Sequence, residues 1–178
     1  MSRTRLVLLA FVAVLLVFDG SVGTGVERDP TRRDAAEYDS ARVGAILQSV
    51  NPALSDDELR RIGSAVMRSS DAYRLDPQLV TAVLLVESSA RPWVRSPKGA
   101  VGLMQVMPYM VAGMELAGHL ATIESNIEAG CAILADNIRR LGEDDGISSY
   151  FWGSDIRGVA YLDRVRAARA QVRRLSES

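Results

Sequence analysis

The chain has 178 residues, 48% of them hydrophobic and 24% charged, with a formal net charge of −1. That balance excludes a disordered chain and leaves no global charge with which to bind nucleic acid. One histidine and one cysteine exclude an internal disulfide and give a zinc cluster or a histidine-based nucleophile nothing to assemble around, so neither metal nor cofactor is expected.

Arg3 and Arg5 precede an uninterrupted apolar run of thirteen residues, Leu6 to Phe18, after which Ser21 and Gly23 stand in a small-x-small arrangement. This is the charged, apolar, small order of a secretory signal over residues 1–23. The run is short of the ~20 residues that span a bilayer, so cleavage is favoured over an uncleaved anchor. Residues 24–39 are polar and aperiodic and read as a linker, with the domain over residues 40–178.

Helix signals then follow one another, and strand signals are nearly absent. Ser55 and Glu58 form a capping box opening a helix to about Tyr73, with Leu59, Ile62 and Val66 facing inward. Asp76-Pro77 opens the next helix, because proline at the first helical position forfeits no hydrogen bond. Ser125 and Glu128 read as a second capping box. Behind them Ile127, Cys131, Leu134, Ile138 and Leu141 form an apolar stripe that stops at Gly142. A last helix from about Val159 carries Tyr161, Val165, Ala168 and Val172 on one side, with its arginines mostly on the other. The fold class is mainly α.

The helix from Pro77 to about Ser89 is apolar almost all round, which marks a buried central helix. Glu87 stands at its C-terminal end above Leu84, Val83 and Val80. There both desolvation and the negative end of the helix dipole disfavour its ionised form, and a carboxyl kept protonated is what a general acid requires. A frayed end with a solvated Glu87 fits the periodicity equally. From Ser88 through Met114 there is no Asp or Glu, so an acting Glu87 has no carboxylate partner from this segment, whereas most glycoside hydrolases use two.

Glu87-Ser88, Pro92, Ser96, Gly99-Ala100, Gly102-Leu103-Met104-Gln105 and Met107-Pro108 resemble the ordered motifs of the soluble lytic transglycosylase (SLT) domain. Asn126-Ile127, Gly130 and Leu134 are similar to its asparagine-isoleucine helix, and the likeness runs over roughly residues 70–165. It implies a lysozyme-like helical fold with a groove for peptidoglycan. It also implies cleavage of the β-1,4 bond between N-acetylmuramic acid and N-acetylglucosamine, with closure of a 1,6-anhydro ring. By motif position Glu87 would be the acid and base, and Ser96 would lie by the cleaved sugar. Met104 and Gln105 would contact glycan, and Tyr150 would stand close to the carboxyl. The resemblance departs at Ser149-Tyr150-Phe151-Trp152-Gly153, where Phe151 replaces an asparagine, and at Ala90, where a bulky aromatic is common. Either the pocket floor is open at Ala90 or Trp93 fills it.

A hydrolase on the same fold and a non-catalytic wall-binding scaffold are the alternatives; the first wants a second carboxylate, and Phe151 leans toward the second. The expected site is the periplasm or envelope of a bacterium. The expected partners are glycan strands and, by analogy with small specialised members, an envelope-spanning secretion or conjugation machine. Cys131 reads as core, His119 as a cap or a solvated side chain, and the arginines of the last helix as a solvated face. Met107, Met110 and Met114 read as core filling or as a greasy surface, with Met104 set apart beside the motif glutamine.

Overall fold

The computed structural model describes residues 38–112, 114 and 119–177. The expected export signal over 1–23 and most of the expected linker lie outside them. Among the described residues six α-helices follow in order: α1 (Ser40–Val50), α2 (Asp56–Tyr73), α3 (Pro77–Ser88), α4 (Ile123–Leu141), α5 (Glu143–Trp152) and α6 (Ala160–Ser176). A 3₁₀ turn, Pro108–Val111, precedes α4. Among the described residues there is no strand, only two isolated bridges, Arg95 to Val101 and Val101 to Val106. The mainly α class expected from the sequence is what the structure has. No described helix is long and apolar enough to cross a membrane.

The helix starts follow from side chains that accept orphan amides. Ser55 accepts from the Glu58 amide and Glu58 reaches back to the Ser55 amide, completing the capping box of α2. Asp76 accepts from Gln78 N–H ahead of Pro77 and opens α3. The start of α4 differs from the sequence reading. Its cap is Thr122, which accepts from Ser125 N–H, so the helix begins three residues before the expected box. Ser125 is buried within its first turn.

α1 packs on α2, α2 on α4, α4 on α5, and α3 on α6. The shared core takes Leu59, Ile62 and Val66 from α2, Leu79, Val80, Val83 and Leu84 from α3, and Ile127, Cys131 and Leu134 from α4. The α4 stripe ends early, since Leu141 is 43% exposed at the last turn. Tyr38 and Asp39, read as the end of a linker, belong to the domain. Tyr38 is buried and donates to Thr81 Oγ1 at 2.8 Å, and Asp39 caps α1.

Two arginines tie helices together through carboxylates at the edge of the domain. Arg61 of α2 donates to both oxygens of Glu124 of α4 at 2.8 Å. Arg169 of α6 bridges Asp76, at the head of α3, and Glu143, at the head of α5. The arginine face of α6 is therefore partly an interhelical clasp, Arg166 adding a 2.7 Å pair to Asp144.

Candidate active site

α3 ends one residue past Glu87, and the way it ends sets the carboxyl. Ser89 and Ala90 both take left-handed backbone, φ 51° and 59°, which costs about 1 kcal/mol or more per non-glycine residue. The reversal is held by its neighbours. Asn51, at the end of α1, donates to the Ala90 carbonyl at 2.9 Å, and Arg91 Nε donates to the Ser88 carbonyl at 2.9 Å. Ala90 has no exposed surface, so a large side chain there would meet packed core. Trp93 does not fill that place: it is 62% exposed and its indole N–H points to Glu58 at 3.3 Å.

Glu87 is half-buried on the last turn of this helix. The Tyr161 hydroxyl donates to its Oε1 at 2.6 Å across 74 positions of sequence. Burial raises the Glu87 pKa above the usual carboxylate range; the Tyr161 bond and the Arg164 charge pull it back in part. Among the described residues, no second carboxylate figures among the groups acting on it. The Tyr161 and Tyr150 hydroxyls are pushed well above 10, first by burial and then by the nearby Glu87 charge, so both stay protonated at neutral pH. The carboxyl is thus bonded to one neutral phenol, with a second phenol and one guanidinium within reach of its charge.

The loop from residue 91 to residue 107 is folded around a single buried amide. Asn126 of α4 accepts from Met104 N–H at 2.8 Å and donates to the carbonyls of Val101 at 2.8 Å and Leu120 at 3.2 Å. Gly102 is required beside it. A Cβ there would stand 2.5 Å from Asn126 Nδ2, and φ is +77°. The Tyr150 hydroxyl fastens Met104 from its other side by donating to its carbonyl at 2.8 Å.

Ser96 lies in a turn, its Oγ accepting from Ala100 N–H at 3.0 Å. Gln105, at φ 46°, spends its amide N–H groups on the carbonyls of Gly102 at 2.9 Å and Val94 at 3.3 Å. Tyr150 feels the Glu87 charge and is bonded to the Met104 carbonyl, whereas Ser96 and Gln105 brace the loop. Met104 departs from the expected glycan contact. Its side chain is fully buried, and a Cβ at Gly130 would come within 2.6 Å of it. Met110 and Met114, by contrast, are 38% and 37% exposed. The chain buries the first methionine of the series and turns the later ones outward, because the segment leaves the core at Pro108.

Tyr161 was not singled out by the sequence. The available signal was a tyrosine on the apolar stripe of the last helix, which fits ordinary core as well as a partner for Glu87. Cys131 is buried and free, its thiol pushed up to about 12 by burial. His119 accepts from the Ala121 amide at 3.2 Å in the turn leading to α4.

The family model for the Transglycosylase SLT domain matches residues 64–160, more than half of the chain. The chain belongs to that family. It is 35% identical over 88 residues to a transglycosylase of Enterobacteria phage PRD1, covering 49% of this chain and 33% of that protein. It is 36% identical over 78 residues to an endo-type membrane-bound lytic murein transglycosylase A of Klebsiella pneumoniae, covering 38% of each. The chain thus spans about a third of the length of these relatives. Among solved structures, an inactive mutant of the lytic transglycosylase Slt from Pseudomonas aeruginosa superposes with a TM-score of 0.47 at 19% identity, over 81% of this chain and 30% of that one.

Proposed function

We propose that the protein is a peptidoglycan lytic transglycosylase in which Glu87 is the general acid and then the general base. The observation that carries this reading is a half-buried carboxyl whose proton is favoured by burial and which, among the described residues, has no carboxylate acting on it. A protonated Glu87 donates to the glycosidic oxygen between N-acetylmuramic acid and N-acetylglucosamine as the C1–O bond breaks. The carboxylate so formed takes the proton of the muramoyl C6 hydroxyl while that oxygen attacks C1. A 1,6-anhydro ring closes, the acid is regenerated and no water is consumed. One carboxyl suffices because the nucleophile comes from the substrate, unlike the paired carboxylates of most glycosidases.

The remaining side chains have free valences suited to sugar hydroxyls. Ser96 accepts from Ala100 N–H and keeps its own proton to donate. Gln105 commits its NH₂ to two carbonyls, which leaves Oε1 to accept. Tyr150 acts on the glycan path through the Met104 carbonyl that it fixes. The substrate places the protein in the bacterial cell envelope.

The deciding experiment is mass spectrometry of purified peptidoglycan digested with the protein, beside Glu87→Gln. Anhydro-muropeptides, lighter by one water than hydrolysed ones and absent with the variant, are expected. Reducing-end products would assign a hydrolase instead. Wall binding without products from either protein would leave a scaffold.

A further inference from the structure

Phe151 stands where the SLT resemblance has a hydrogen-bonding amide, and it is 50% exposed, so burial does not account for its ring. The ring stacks on Tyr161 with centroids 4.9 Å apart and planes at 14°, and meets Trp152 edge-on at 4.9 Å and 87°. Arg164 lies over both stacked rings, 5.7 Å from the Phe151 centroid and 5.6 Å from that of Tyr161. Its α6 neighbours Arg166 and Arg169 are held by carboxylates. Among the described residues Arg164 forms no salt bridge, so the rings direct its side chain.

We propose that Phe151 is a positioning residue for the Glu87 acid: its ring, stacked on Tyr161 and lying under Arg164, holds the tyrosine hydroxyl and the arginine charge against the carboxyl. The proposal deepens the reading of Glu87 as an acid and rests on it for its functional meaning. The groups facing Glu87 are Tyr161 and Arg164 from α6 and Tyr150 from α5. From the loop, Arg91 is turned to the Ser88 carbonyl. Tyr150 and Tyr161 stay neutral, so Arg164 is the one full charge acting on the carboxyl. Both the Tyr161 bond and the Arg164 charge favour the carboxylate and oppose burial. Where an amide would grip substrate directly, the phenyl ring acts one step back, on the groups that tune the acid.

The test is a ¹³C NMR titration of the Glu87 carboxyl in the full chain, assigned by its loss in Glu87→Gln. Phe151→Ala and Phe151→Asn are expected to move the Glu87 midpoint to higher pH, in the same direction as Arg164→Gln. Phe151→Tyr keeps the stack and is expected to titrate with the parent. In an Arg164→Gln background, Phe151→Ala should add less than it does alone. An unmoved midpoint in Phe151→Ala, or in Arg164→Gln, overturns the proposal. The readout needs no turnover, so it stands apart from the product assay that tests the enzyme itself. On peptidoglycan, Phe151→Ala should lower kcat about two- to tenfold, the range for one aromatic stack. A raised KM at unchanged kcat would instead make the ring a sugar platform and overturn the positioning role.

Discussion

At the Glu87 carboxyl two opposing influences meet, burial that keeps the proton and a 2.6 Å bond from Tyr161 that lets it go. The sign of the pH dependence follows. A general acid works while protonated, so turnover should fall as pH rises through the raised Glu87 pKa, and a rate flat from about pH 4 to pH 9 would refute the role. Tyr161→Phe removes an interaction that favours the carboxylate. Its alkaline limb should therefore lie at higher pH than the parent's, with kcat down by roughly tenfold for the lost orientation. Linkage adds a stability readout. Burying Glu87 is tolerated at low pH and becomes costly as pH rises through the raised value, so Glu87→Gln should lose turnover yet melt no lower than the parent, and higher in alkali.

Between helices and loop, Asn126 joins the start of α4 to the backbone around Met104 with three hydrogen bonds. Asn126→Ala leaves the Met104 amide unmet in a buried place and takes a donor from the Leu120 carbonyl, while the Val101 carbonyl keeps the Val106 amide; the loss should cost about 1–3 kcal/mol. Thermal unfolding would show the cost. Activity should fall further than stability alone explains, because the loop carrying Ser96 and Gln105 is released. Asn126 also shows how far the sequence could be read. Its place was legible as part of a motif, but the three partners that explain it come from 22, 25 and 6 positions away. α2, α3 and α4 were legible because caps and apolar spacing are local. α5 was not, since Glu-Asp-Asp-Gly-Ile-Ser-Ser-Tyr-Phe-Trp is rich in weak helix formers and is held by packing on α4. The burial of Met104 was not legible for a related reason: its side chain packs against Gly130, remote in the chain.

Across the whole molecule, the clasps between helices are carboxylate-dependent. Glu124 is held at a pKa of about 2, first by its hydrogen bond from Arg61. Its contribution is present above the ordinary carboxylate range and is lost as pH falls toward that value. Both side chains are 39% exposed, so screening limits the pair to about 0.5–1 kcal/mol. Melting curves of the parent and Glu124→Gln should differ by that small amount at neutral pH and converge near pH 2. A larger gap would mean that the pair anchors α2 to α4 more firmly than two half-exposed groups should.

A helix end is ordinarily where backbone first opens to solvent. The end of α3 is stitched instead. Ser88 Oγ bonds the Leu84 carbonyl, Ser89 N–H the Leu85 carbonyl, and Asn51 the Ala90 carbonyl. Amide hydrogens from Ser88 to Ser89 should therefore exchange with deuterium on the slow timescale of the buried helices rather than that of a fraying terminus. Asn51→Ala should quicken them without touching α5. The Glu87 carboxyl at this terminus is thus kept in place by the residue that caps α1, outside the stretch that matches the family, and its alignment would be lost through a change thirty-odd positions upstream of it.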